Sequence, residues 1–151
     1  MTTKQAVFTR CPICKKVHQN CIVCSLDNTK GLHLEFEIAD DKTIKASFEC
    51  DKAYEGYSGI LHGGIISSIL DGAMGNCLFA RGQTAVTVEM NTKFKLPVQI
   101  NKPATVTARI EKICHPLYFL EAKIIQGGKT KAVAKAKFFD KPELAGKLET
   151  L

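Results

Sequence analysis

The sequence predicts an α+β domain in which one long, curved antiparallel sheet of about six strands wraps around one central helix. Segments with alternating apolar and polar residues, typical of half-buried strands, outnumber long apolar segments by about six to one. The long apolar segment, residues 60–80, carries Asp71 as its only formal charge. We therefore expect a helix that is buried on most of its circumference.

The predicted strands lie on both sides of this helix in the chain. Residues 31–38 and 43–50 alternate and are separated by Asp40-Asp41-Lys42, so they predict an antiparallel hairpin. Residues 51–59 are loop-like and precede the helix. Four more strands are predicted after the helix, at residues 84–95, 104–113, 117–126 and 129–139. Gly127-Gly128 predicts a tight hairpin between the last two.

Composition places limits on domain organisation and partners. We expect a cysteine-rich arm at residues 1–30, a main domain at 31–140 and a tail at 141–151. No stretch approaches the ~18 uncharged apolar residues of a membrane helix. The net charge is +6, yet no basic helix or arginine-rich arm of the nucleic-acid-binding kind is present. We therefore expect that the protein binds neither membrane nor nucleic acid. The first twenty residues lack the apolar core of a secretory signal, so we expect a cytoplasmic protein.

Three segments carry a family resemblance. Residues 59–75 read G-I-L-H-G-G-I-I-S-S-I-L-D-G-A-M-G, with the aspartate nine residues after the histidine. T-V-E-M-N at 87–91 precedes K-L-P at 95–97, and C-I-V-C-S-L-D-N-T-K-G-L occupies 21–32. Together these segments resemble the hotdog-fold acyl-CoA thioesterases, in particular the phenylacetyl-CoA thioesterase (PaaI-like) type.

The resemblance implies a hydrolase that splits an acyl-CoA thioester into a carboxylate and CoA. In that reading Asp71 is the general base or the nucleophile, and the reaction requires no cofactor. Backbone amides of Gly63 and Gly64, at the positive end of the helix dipole, would polarise the thioester carbonyl. Thr87 would hold the hydrolytic water, and His62 would either orient the helix start or transfer protons.

The resemblance also implies substrate-binding positions. Some family members carry Asn or Gln where this sequence has Gly56. The basic candidates for the CoA phosphates lie on predicted strands, together with one asparagine: Asn91, Lys93, Lys95 and Arg109.

Helix geometry independently predicts an assembly. Gly64 and Asp71 are seven residues apart, so they share a helix face but are separated by about 10 Å along the axis. An oxyanion donor and a base must converge on one carbonyl group, within ~3–4 Å of their targets. Two antiparallel helices related by a twofold axis meet this requirement, so we expect at least a homodimer, with a tetramer as the alternative.

The arm contains two C-x2-C pairs separated by six residues, formed by Cys11, Cys14, Cys21 and Cys24. Paired C-x2-C motifs are typical of tetrahedral zinc sites, and His18 is a substitute for one of the ligands. A structural zinc and free thiols both stay open as interpretations.

A second functional reading is a non-catalytic acyl-CoA sensor whose cysteine-rich arm contacts a partner, because hotdog folds also serve as binding modules. Asp71 favours the enzyme, since a pure binder gains nothing from a costly buried carboxylate. Cys50, Cys77 and Cys114 are interpreted as buried thiols rather than nucleophiles, because no histidine is suitably placed beside them.

Overall fold

A computed structural model describes residues 16–39 and 43–146 of the chain. Its central helix is α1, Gly63–Phe79, and a four-residue helix, α2, spans Glu143–Gly146. The strands are β1 (Glu37–Ile38), β2 (Ile44–Phe48), β3 (Ala85–Phe94), β4 (Ala104–Cys114), β5 (Leu117–Gln126) and β6 (Lys129–Asp140). They form one antiparallel sheet in the order β1-β2-β4-β5-β6-β3, packed against α1. The predicted fold class is confirmed.

The first predicted strand is too long. Sheet pairing begins only at Glu37, although the β1–β2 hairpin itself is confirmed by its antiparallel register. Upstream, the amides of Leu32 and Leu34 donate to the carbonyls of Ile22 and Val23. This segment thus bonds to the preceding arm rather than to the sheet, while its alternating residues Leu34 and Phe36 are buried in the common core.

The predicted helix also begins too early. Residues 60–62 are extended, and Ile60 and Leu61 form isolated β-bridges with Gln99 and Glu55. The helix starts only at Gly63, after His62 in extended conformation. These bridges hold the start of the helix against neighbouring loops and so fix where its first amides point.

Small side chains on the sheet let α1 pack closely. Three of the residues of β6 that face the helix are small and buried: Ala132, Ala134 and Ala136. The helix contributes large, fully buried side chains to the same core, such as Leu70 and Met74. Alanines on the sheet leave room for these side chains, and burial of a Leu or Met contributes about 1.5–3 kcal/mol.

The expectation that α1 is buried on most of its circumference is confirmed, and one narrower face is not covered by the described chain. Residues on this face are partly or fully exposed: Gly64, Ser67, Ser68, Asp71 and Gly75. The edge strand β3 lies beside it and is largely exposed along its length. This open face, defined by those five helix residues, contains the candidate catalytic carboxylate. No helix among the described residues is long and apolar enough to cross a membrane.

Candidate active site

Asp71 and Thr87 meet where the open face of α1 borders β3. The Thr87 hydroxyl donates a hydrogen bond of 2.6 Å to Oδ1 of Asp71. Asp71 is half-buried in the single chain, so its carboxylate is less enclosed than the apolar helix sequence suggested. A hydroxyl that donates to a carboxylate fixes its orientation and leaves the second oxygen available to other donors.

His62 caps the start of α1. Its Nδ1 accepts the Gly64 amide hydrogen at 2.9 Å, and its carbonyl oxygen accepts from the amides of Ile65 and Ile66. Within the described chain, the Gly63 amide is the first-turn donor that has no acceptor. The Gly64 amide, expected to face a substrate, is engaged by the cap, so the Gly63 amide is the one left to donate to another group.

Gly56 packs directly against His62. A Cβ atom at position 56 would lie 3.3 Å from both Cα and Cδ2 of His62. The amide of His62 also donates to the carbonyl oxygen of Tyr54, in the same loop as Gly56, at 3.0 Å. Gly56 therefore belongs to the neighbourhood of the site by making room for the capping ring.

A β-bulge in β3 determines which side chains face the helix. Thr87 pairs with Phe138, whereas Glu89 pairs with Lys137, so Val88 is the extra residue. Phe138 is buried toward the helix, and cross-strand partners share a face, so Thr87 also faces the helix. Glu89 instead shares the outer face with Lys137, to which it is paired at 3.1 Å.

The bulge separates the predicted substrate-binding residues from Thr87. Asn91 pairs with the exposed Lys135, which places Asn91 on the outer face of the sheet. Lys93 lies two residues further on and shares that face. Lys95 directly follows the strand and is exposed. These side chains do not converge with Asp71 within one chain.

Arg109 also lies apart from Asp71. Its β4 neighbour Ala108 is buried toward the helix, so Arg109 points to the outer face. The guanidinium pairs with Glu121 at 3.3 Å and lies 3.9 Å from Glu111. Two carboxylates thus compete with any phosphate for this arginine.

Phe94 belongs to the site but was not predicted. A Cβ atom at Gly63 would lie 3.5 Å from the Phe94 ring, so this ring sits next to the unpaired Gly63 amide. The ring is 56% exposed. A phenylalanine in a strand normally indicates core, and no feature of the sequence linked it to the helix start.

The cysteines of the main domain differ in accessibility. Cys50 and Cys77 are buried, as predicted, whereas Cys114 is exposed, contrary to that prediction. Burial raises the pKa of Cys50 and of Cys77 to about 11. At neutral pH both buried groups are thiols, which makes them poor nucleophiles.

The arm brings a histidine and two cysteines together. A ring nitrogen of His18 and the Sγ atoms of Cys21 and Cys24 all lie within 4.8 Å of one another. A hydrogen bond with Cys24 and burial raise the pKa of Cys21 to about 12. The other two predicted ligands, Cys11 and Cys14, lie outside the described residues.

The architecture, a six-stranded antiparallel sheet around one helix, defines a hotdog fold. The family model of the thioesterase superfamily matches residues 58–132, about half of the chain. The match contains α1 and β3, and with them Asp71 and Thr87. Residues 58–132 of the chain are therefore similar to the thioesterase superfamily.

Curated relatives include the acyl-coenzyme A thioesterase THEM4 of Bos taurus. The chain is 28% identical to it over 97 residues, which is 62% of this chain and 40% of the bovine protein. The chain thus spans about two fifths of the length of the curated relatives that it matches.

Two solved structures share the fold at low sequence identity. The E. coli PaaI protein of the phenylacetic acid degradation operon is 19% identical, with a TM-score of 0.67. The match covers 73% of this chain and 80% of that chain. A hypothetical thioesterase of Streptococcus pneumoniae TIGR4 with coenzyme A is 16% identical, with a TM-score of 0.67 and coverage of 78% and 92%. Variants with alanine in place of an aspartate or of a threonine give TM-scores of 0.66 and 0.67.

Proposed function

We propose that this protein hydrolyses acyl-CoA thioesters, with Asp71 as the catalytic carboxylate. The observation that carries the proposal is the 2.6 Å hydrogen bond from Thr87 to Asp71 on the open face of α1. The activity of the THEM4 relatives supports it. In the Streptococcus protein the two substituted positions are sixteen residues apart, the same separation as Asp71 and Thr87 here.

In the proposed reaction, water adds to the thioester carbonyl carbon while Asp71 accepts a proton from that water. The oxygen that gains negative charge accepts a hydrogen bond from the Gly63 amide at the positive end of the α1 dipole. Cleavage of the C–S bond releases the acyl group as a carboxylic acid and CoA as a thiol, which takes the proton held by Asp71. The steps use water and a carboxylate and require no cofactor.

Asp71 has a second route, which is direct attack. The carboxylate would then form a mixed anhydride with the acyl group and release CoA, and water would hydrolyse the anhydride. Rapid-quench mass spectrometry distinguishes the two routes. Direct attack gives a transient increase of the protein mass by one acyl group, whereas general-base catalysis gives no such adduct.

The complete site requires two chains in this proposal. The amide of Gly63 and the carboxylate of Asp71 lie eight residues apart on one helix, about 12 Å along its axis. The small residues of the open face allow a second α1 helix to approach closely. The edge strand β3 exposes the apolar side chains of Val88 and Phe94, 55% and 56% exposed, which a partner would cover. Gly63 of one subunit would then meet Asp71 of the other in at least a homodimer, and light scattering distinguishes a dimer from a tetramer.

We infer a PaaI-like substrate class, an acyl-CoA, from the H-G-G segment and the aspartate nine residues after His62. The likeness to E. coli PaaI and to a structure with coenzyme A supports this inference. Lys93 and Lys95 are the candidates for the CoA phosphates, because both are exposed whereas Arg109 is paired with glutamates. Lys→Gln substitutions should raise KM and leave kcat unchanged.

A thiol-release assay with short, long, branched and aromatic acyl-CoAs tests the proposal and identifies the acyl group. Hydrolysis that depends on Asp71 supports the enzyme. Tight acyl-CoA binding without hydrolysis of any substrate in the panel would instead favour the sensor.

We also propose a cytoplasmic location. Seven cysteines, an odd number, fit a disulfide framework poorly and suit a reducing compartment. Cell fractionation followed by immunoblotting tests this location.

A further inference from the structure

We propose that His18, Cys21 and Cys24 bind a zinc ion that fastens the N-terminal arm to the central helix. The proposal does not rest on the hydrolytic activity. Zn–S bonds of ~2.3 Å and a Zn–N bond of ~2.05 Å at a tetrahedral angle place nitrogen and sulfur ligands about 3.5 Å apart. Nδ1 of His18 lies 3.6 Å from Sγ of Cys24, and all three ligand atoms lie within 4.8 Å of one another.

The surroundings of the sulfur atoms suit a bound metal. The amide of Val23 donates to Sγ of Cys21 at 3.4 Å, a contact that would stabilise negative charge on the sulfur. Cys24 is only 5% exposed, so a metal there would be shielded from solvent. One imidazole and two thiolates form a ligand set that selects zinc over magnesium or calcium, which prefer oxygen.

This assignment changes the ligand set that the sequence pattern suggested. Four cysteines would leave the imidazole of His18 without a role, although its nitrogen is directed at Cys24. With His18 as a ligand, a tetrahedral ion needs one further donor beyond the three described groups. The role of His18 as a ligand therefore distinguishes this proposal from a four-cysteine site, and the experiment must tell these two sites apart.

The position of the cluster gives the metal a structural role. Val23, between the two cysteines, packs against Gly72 of α1 so closely that a Cβ atom at Gly72 would lie 2.6 Å from Val23 Cγ1. The His18 ring packs edge-to-face on Phe79, the last residue of α1, with ring centroids 4.6 Å apart. Gly72 directly follows Asp71. Zinc would thus hold the arm against the part of the helix that carries the carboxylate.

The test measures metal content of the full chain purified without chelators. The parent and the control Cys114→Ser should contain about one zinc per chain. His18→Phe keeps an aromatic ring against Phe79 but cannot ligate, and Cys24→Ser removes a thiolate. Each should lower zinc affinity by more than about 100-fold, since loss of outer-shell contacts alone costs 10–100-fold. Cobalt reconstitution should give the intense visible absorption of a tetrahedral thiolate site in the parent and lose or shift it in both variants.

Three results would overturn the proposal. The first is parent protein without zinc and with Cys21 and Cys24 fully alkylated in the native state. The second is a disulfide between these two cysteines, seen by mass spectrometry of protein purified without reductant. The third is a His18→Phe variant with the zinc affinity and cobalt spectrum of the parent, which would assign the site to cysteines alone. Circular dichroism of each variant verifies that the domain is folded, so metal loss is read on folded protein.

Discussion

Thr87→Val removes the hydroxyl that donates to Asp71 and nearly preserves the size and shape of the side chain. A hydrogen bond to a charged group contributes about 1.5–3 kcal/mol. At about 1.4 kcal/mol for each factor of ten in rate, loss of this positioning contact should lower kcat by about 10- to 150-fold. The fold should be unaffected, because Thr87 lies on an exposed edge strand.

The assay is thiol release at saturating acyl-CoA, which separates kcat from KM. Thr87→Ser retains a hydroxyl and should recover most of the activity. Thr92→Val is the matched control, because Thr92 pairs with the buried Ala134 on the helix-facing side of the same strand and the Thr87–Asp71 bond stays intact. A Thr87→Val variant with the kcat of the parent would refute the positioning role, and a change confined to KM would make Thr87 a substrate contact.

Three further substitutions test the helix start and the assembly. His62→Ala removes the cap of α1 and should lower the free energy of unfolding by about 0.5–2 kcal/mol in urea titrations. His62→Asn should retain most of the stability of the parent, because asparagine also caps helices. Equal losses in the two variants would contradict capping. Gly64→Ala places a Cβ atom 3.1 Å from His62 Nδ1 and should lower both stability and turnover. In Gly63→Ala the new methyl group lies at an ordinary 3.5 Å from Phe94, so stability should be unchanged. Val88→Asp places a charge on the β3 edge and should give inactive monomers in light scattering. The control Ile113→Asp, at a residue of β4 that is 50% exposed, should remain dimeric. A dimeric, active Val88→Asp protein would exclude this edge as the interface.

Most of the fold followed from alternation and apolar length. Strands β3 to β6 were predicted to within one residue at each end, because period-2 alternation is strong where one face of a strand packs on a helix. Residues 31–36 show the limit of this reasoning. Their alternation is equally regular, yet the backbone of Leu32 and Leu34 bonds to the arm instead of the sheet, and the pattern does not identify the partner.

The β3 bulge limited the prediction of the site. Thr87, Glu89, Asn91 and Lys93 are every second residue of the strand, and regular alternation predicts that they share a face. The extra residue, Val88, moves Thr87 to the helix side and leaves the other three outside. A bulge changes the face of a side chain without changing the alternation, so a single sequence contains no signal for it. The proximity of Asp71 and Thr87 was suggested only by family resemblance.

The helix start shows what local chemistry can predict. A histidine followed by two glycines suggested free amides and a side chain that orients the first turn. The hydrogen bond from the Gly64 amide to His62 agrees with that orienting contact and leaves Gly63 as the available donor. Which of two adjacent amides is engaged depends on the rotamer of the capping ring, which the sequence does not specify.

The most direct test of the central claim is the turnover of Asp71→Asn. The substitution keeps size and hydrogen-bonding capacity but removes the charge that activates water or attacks the thioester, so kcat should fall by ~10²–10⁴. Binding of acyl-CoA, measured by calorimetry, and the assembly, measured by light scattering, should be retained. Glu89→Gln, on the outer face of the neighbouring strand, is the matched control and should have parental turnover. An Asp71→Asn protein that hydrolyses acyl-CoA as fast as the parent would show that this carboxylate is structural and would contradict the proposed function.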